Sequence, residues 1–136
     1  MVRHSTAALG ELENGFLGKL QDLVAAEIFA DFLQQGGHLL EAGYKDAAVS
    51  VTGAVLEDGL RRIATIKHIP VRDRDDVSAL NQKLADGRIY NRLMQKKIQV
   101  WNDVRNNADH GKFNEYGLDD VKEMIKGVES FLAGYL

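Results

Sequence analysis

Trp101-Asn102-Asp103-Val104-Arg105-Asn106-Asn107-Ala108-Asp109-His110-Gly111 is the stretch on which the reading of this chain turns. Leu93, Val100, Trp101, Val104 and Ala108 fall at helical spacing. They predict a helix from about Ile89 to His110 with those five on its buried stripe. Gln95, Lys96, Gln99, Asn102 and Asp103 then point elsewhere. Gly111 is the stop signal, as glycine is just past a helix C-terminus. Between Arg105 and His110 the chain sets an arginine, two asparagines, an aspartate and a histidine in six residues. No other part of the chain brings so many hydrogen-bonding and titratable groups so close to an apolar stripe.

The same periodicity extends in both directions. Leu12, Phe16, Leu20, Leu23, Val24, Ile28 and Phe32 predict a helix over 11–35, closed by Gly36-Gly37. A second run over 38–67 carries Leu40, Ala47, Val51, Val55 and Ile63, and is rich in small residues: Gly43, Ala48, Gly53, Ala54 and Gly59. Each interior glycine costs roughly 1 kcal/mol of helix propensity. Close approach of neighbouring helices is the expected compensation. Glu57 and Arg61 are placed to pair at i,i+4. Ile69-Pro70 should end this helix, since the residue before proline avoids the helical region. Asp75 or Asp76 can N-cap a short helix carrying Val77, Leu80 and Leu84 and ended by Gly87. The last helix starts near Leu118, with Asp119 and Asp120 at the favourable end of its dipole and Val121, Met124, Ile125, Val128, Phe131 and Leu132 on its apolar face. No segment alternates as a strand does. The expected architecture is all-α: an up-and-down bundle of four long helices plus one short helix, residues 11–136 forming one domain behind a tail of residues 1–10.

Composition sets the function classes aside or keeps them. With 45% hydrophobic and 27% charged residues, the chain can build a core. It has no cysteine, which removes disulfides, thiolate metal sites and a cysteine nucleophile. The net charge of −3 gives no global basic field, so any site for a polyanion must be local. The first ten residues hold no signal-type apolar run, and no stretch approaches the eighteen or so apolar residues of a membrane span. The expectation is a cytoplasmic protein without a membrane segment.

The helix-end cluster has a definite chemistry. Trp101, Arg105 and Asp109 follow one another at i,i+4, and Asn106 pairs with His110 at the same interval. His110 is a proton donor or acceptor near neutral pH. Arg105 is a fixed charge with a forked donor face, and Asn106 an orienting amide. Together they suit phosphodiester cleavage through the neighbouring ribose hydroxyl, which needs proton transfer and charge stabilisation at phosphorus but no metal. The same residues also suit a purely structural role: Arg105–Asp109 as an ion pair and His110-Gly111 as an ordinary helix end.

Arg105-Asn106-Asn107-Ala108-Asp109-His110 resembles the signature of the HEPN superfamily, an arginine and a polar residue followed, after three more, by histidine. Lys96 to Trp101, Gly111-Lys112-Phe113, the segment from Ala47 to Arg61 and the closing stretch from Leu118 to Leu132 are similar to one bacterial branch of it. The resemblance spans roughly 38–136. It implies a helical bundle, commonly a homodimer, with two motifs facing each other in a cleft that takes RNA. It implies a metal-independent endoribonuclease leaving a 2′,3′-cyclic phosphate, used as a toxin, in antiphage defence or in RNA processing, without cofactor. By matching position, Arg105 and His110 are then the catalytic pair and Asn106 its support. An antitoxin or a nucleotidyltransferase is a possible partner by family analogy. Some members are inactive and serve as RNA-binding or protein-interaction modules, which stands as the second expectation.

Other residues qualify for supporting roles. Lys96, Lys97 and Lys112, with Arg92, offer phosphate contacts or an ordinary solvated face. Trp101 reads as a core or interface anchor before a base-stacking group. Phe113 and Tyr116 suit stacking, and suit packing the loop better. His38 and His68 lack partners in a metal-ligand pattern.

Overall fold

The second helix is the axis of the molecule. In the computed structural model, which describes residues 2–136 with side chains from Gly15 onward, five α-helices are joined by short loops. They are α1 (Val2–Glu41), α2 (Lys45–Ile66), α3 (Val77–Asp86), α4 (Arg92–Asp109) and α5 (Leu118–Ala133), with one 3-10 turn at Phe113–Glu115. No strand occurs among the described residues. Each of the other four helices packs against α2. The expected all-α bundle is the observed fold.

Side-chain partners give the directions. Arg62 of α2 meets Asp22 of α1, while Gly36 of α1 faces Ala48 and Thr52, so α1 and α2 run antiparallel. Asn81 meets Gln95 and Ser78 meets Asn102, so α3 and α4 do likewise. Trp101 lies against Gly127 and Tyr135 reaches the Ile89 carbonyl, which sets α4 antiparallel to α5. The core is the shared interior: Leu56, Leu60 and Ile63 of α2, Leu80 and Leu84 of α3, Ile98 of α4 and Met124 of α5 are all buried.

Small residues let these helices approach. A Cβ on Gly59 would meet the Leu132 side chain, and one on Gly127 would run into the Trp101 indole. The glycine content of α2 is thus compensated by contact, as its composition implied.

Several boundaries differ from expectation, each for a local reason. Gly36-Gly37 does not end α1; Gly36 is buried against Thr52, so the glycine serves helix contact and the turn falls at 42–44, where Gly43 has φ +92°. The supposed tail is helical from Val2. The second helix starts at Lys45 rather than His38. It stops at Ile66, before Pro70: His68 takes a left-handed conformation (φ 59°) and the Ile69 N–H returns to the Ala64 carbonyl at 2.8 Å. At the end of α3, Arg88 and not Gly87 takes positive φ, and Gly87 is small because the Ile69 side chain presses on it.

The face of α4 also differs. Leu93 and Val100 are 63% and 58% exposed, while Asn102 is buried and donates to Ser78. Ile98, Trp101 and Val104 form the true inner stripe. Glu57 does not pair with Arg61. The Arg61 guanidinium is drawn away by the carbonyls of Arg72, Asp73 and Asp75 in the α2–α3 loop. That loop is fixed further by Asp75, which accepts from the Arg72 N–H and the Lys83 ammonium, while Asp76 caps α3 through the Ala79 N–H.

Two outcomes follow for stability. Gly127→Ala must displace a buried indole and should cost about 1–3 kcal/mol in urea unfolding, the usual range for overpacking; a neutral effect would show that the α4–α5 contact is loose. The hydrogen bond from the Arg72 N–H, then that from Lys83, hold the Asp75 carboxyl below its ordinary value of 3.8. A folded value below the unfolded one contributes stability that is complete above the ordinary value and lost as pH falls through the folded one. The stability gap between the parent and Asp75→Asn should therefore shrink between about pH 6 and pH 3. A gap that stays constant over that window would contradict the assignment.

Candidate functional site

The helix-end cluster is built on the seam between α2 and α4. Arg105 lies across α2 with its stem over Gly53: a Cβ there would come within 3 Å of its Cγ, Cδ and Nε. One turn along α2, Glu57 accepts from Arg105 Nη1 at 3.1 Å, and Asp109 stands 3.8 Å from Nε. Gly53 thus opens a notch and Glu57 holds the guanidinium at its far end. Arg105 is about three-quarters buried, with 23% of its side chain exposed. Its charge is met by two carboxylates, so an incoming anion has to compete with them.

His110 is placed differently. It is the C-cap of α4 and is exposed, with its ring in no hydrogen bond among the described residues. Its backbone N–H is tied to the Asn106 carbonyl at 3.0 Å. Gly111 follows with φ +72°, a conformation that suits glycine. The Lys112 N–H then closes the helix on the Asn107 carbonyl at 2.7 Å. Asn106, one turn before His110, is exposed too. His110 lies five positions beyond Arg105, which turns them roughly 140° apart around the helix axis. No hydrogen bond or ion pair joins them within the chain.

The three lysines do not form one patch. Lys96 is exposed beside Arg92 in a polar cleft between α3 and α4 that Gln82, Gln95 and Gln99 also line. Arg92, Lys96, Gln99, Asp103, Asn106 and His110 succeed one another at four- and three-residue steps, so this stripe runs along α4 to the histidine. Asp103 interrupts its positive character and accepts from Gln99. Lys97 is turned about 100° away, toward the exposed Leu93 and Val100. Lys112 is exposed just beyond the end of α4.

The loop after the motif is anchored by residues that sequence spacing does not single out. The Lys45 ammonium donates to the carbonyls of Phe113 (2.6 Å) and Tyr116 (2.9 Å) and sits 4.6 Å from the Tyr116 ring centre. The Tyr116 hydroxyl donates to Asp46. Burial and that carboxylate push the Tyr116 hydroxyl well above its ordinary value, so it stays a donor. Tyr116 is buried and packs the loop down, whereas Phe113 is 43% exposed. The first turn of α2 therefore holds the segment that follows His110. Trp101 is buried against Gly127 and Phe131, which leaves no ring face for a base. His38 and His68 stand apart from the cluster, and no three His, Asp or Glu side chains among the described residues are grouped to hold a metal ion. No described helix is long and apolar enough to cross a membrane.

The Gly53 notch makes a sign-reversing prediction. With Arg105→Ala in place, Gly53→Ala should stabilise the fold by about 0.5–1 kcal/mol, the ordinary gain of alanine over glycine in a helix. In the parent, displacement of the arginine stem should cancel or reverse that gain. Urea unfolding of the four proteins of this cycle measures it; equal effects in both backgrounds would mean that Arg105 does not occupy the notch.

Comparison with known protein-family models, with curated proteins and with solved structures gave no match to this chain.

Proposed function

We propose that this chain is a HEPN-like, metal-independent endoribonuclease. The observation that carries the reading is the exposed, unpartnered imidazole of His110, set one turn beyond an exposed Asn106 at the rigidly closed end of α4. An imidazole fixed in place by its backbone, yet open at its ring, is what proton transfer to a bound substrate requires. In the proposed reaction the ribose 2′-oxygen attacks phosphorus as its proton is taken up. The bond from phosphorus to the 5′-oxygen breaks, and that oxygen receives a proton. The products are a 2′,3′-cyclic phosphate and a 5′-hydroxyl. His110 serves in the proton transfers and Asn106 orients the substrate. Arg105 steadies the charge on phosphorus after exchanging Glu57 for the phosphate, a charge-assisted contact that its forked donors suit. Because Arg105 and His110 diverge on one helix, the reading places the complete site between two copies, with RNA as the partner and Lys96 and Lys112 as phosphate contacts. Lys97, on another side of α4, contributes least.

One observation favours a second reading. Arg105 already has a full structural explanation in Gly53, Glu57 and Asp109, which suits a non-catalytic RNA-binding or protein-interaction module. RNA in excess chelator separates the two. The nuclease reading expects cleavage to 2′,3′-cyclic ends. His110→Ala should lower it by about 10²–10⁴-fold, the range for a general acid or base, with the unfolding midpoint unchanged. Absence of cleavage of any single-stranded RNA, or equal cleavage by His110→Ala, leaves the module as the function.

A further inference from the structure

α1 presents its large apolar side chains to solvent. Phe16, Leu20, Val24, Ile28 and Phe32, at four-residue steps, and the flanking Leu17 and Leu23 are between 44% and 67% exposed. The side toward α2 and α5 is made instead of Ala26, Phe29, Leu33 and Gly36. The helix is thus seated on the bundle by few of its large apolar residues and turns most of them outward. Seven half-exposed side chains of this size amount to roughly 500–700 Å² per molecule. Monomers rarely expose a continuous apolar patch beyond a few hundred Å², and a stable interface takes about 800 Å² from each partner, rim included.

We infer that the outer face of α1 is an interface with a second copy of this chain, the two α1 helices crossing antiparallel about a two-fold axis at Val24. Three observations select this occupant. Five of the seven apolar positions are symmetric about Val24: an antiparallel copy sets Leu20 against Ile28 and Phe16 toward Phe32, while Val24 meets its own equivalent. That is the self-complementarity an isologous contact needs. The charges agree. Glu27 and Asp31 are exposed on the outer side of α1. Antiparallel pairing keeps the carboxylates of the two copies apart, whereas parallel pairing stacks like on like. Those same carboxylates disfavour a lipid surface, which calls for lysine and arginine on the polar side. Four-residue steps form a ridge, and two such ridges pack by crossing. Contact is therefore densest at Leu20, Leu23, Val24 and Ile28. The inference stands apart from the nuclease reading, because α1 packs on α2 and α5 whereas His110 is carried by α4.

The full chain contains no cysteine, so single thiols can be introduced cleanly. Under mild oxidation Val24→Cys should form a covalent dimer. Leu20→Cys should do so with Ile28→Cys but not with itself. Sedimentation over a concentration series should show a dimer for the parent and, for Leu20→Glu/Val24→Glu, at least a tenfold weaker association, equivalent to about 1.4 kcal/mol. Helicity should be unchanged, since both side chains point outward. A parent that stays monomeric, whether or not it binds vesicles or another protein, overturns the inference. So does a dimer unaffected by the glutamates, or efficient self-crosslinking of Leu20→Cys, which would mark a parallel pair.

Discussion

The close contact at Gly53 is the constraint on which the site depends. α2 is touched by every other helix, and it accommodates them by giving up side-chain volume where they cross. At Gly53 the missing Cβ admits the stem of Arg105, and at Gly59 it admits Leu132. The helix sacrifices intrinsic propensity of roughly 1 kcal/mol at each position and recovers it through contacts between helices that are themselves well packed. Arg105 is held by geometry before any charge is considered. Glu57 and Asp109 then compensate a cation that is mostly removed from water. An unpaired guanidinium in that position would be expensive.

This arrangement explains why the two residues of the motif behave so differently. Arg105 faces the seam and is restrained by three contacts. His110 lies five residues on, past the point where the helix stops, and only its backbone is held. Gly111, the Lys112 N–H and the clamp made by Lys45, Asp46 and Tyr116 define where the imidazole can be, without touching the ring.

The element types and their number were legible because each helix carries a periodic apolar stripe and the chain has one proline to interrupt it. The helix ends were less so. Glycine reads as a terminator, yet Gly36 and Gly87 are small because Thr52 and Ile69 press on them. α1 turns instead at Gly43, and α2 and α3 stop at His68 and Arg88, which local sequence does not mark as left-handed. The buried side of α4 was misread because it has two apolar stripes at helical spacing. Ile98 belongs to the inner one, and Leu93 and Val100 to the outer. Only the position of α3, which buries Asn102 through Ser78, chooses between them. In the candidate site, the motif residues were visible from spacing. Gly53, Lys45 and Asp46 were not, because each acts across a sequence separation of about fifty residues or more.

Besides the exposed Tyr44, Phe113 and Leu118, apolar side chains lie outside the core on α1 and on α4, and the sizes of these two faces give them different weight. Leu93 and Val100 are two residues with the exposed Lys97 between them, an area that a soluble surface tolerates. α1 offers seven, continuous over more than four turns. Were both faces strong and each self-complementary, the chain would carry two different isologous contacts, which together extend into larger closed or open assemblies. Unequal faces avoid this. A strong α1 contact closes on itself as a dimer and leaves the end of α4 that bears His110 outside that contact. The distribution of apolar side chains between the two helices thus keeps the α1 contact apart from the α4 end, where the proposed nuclease site needs a second copy of its own.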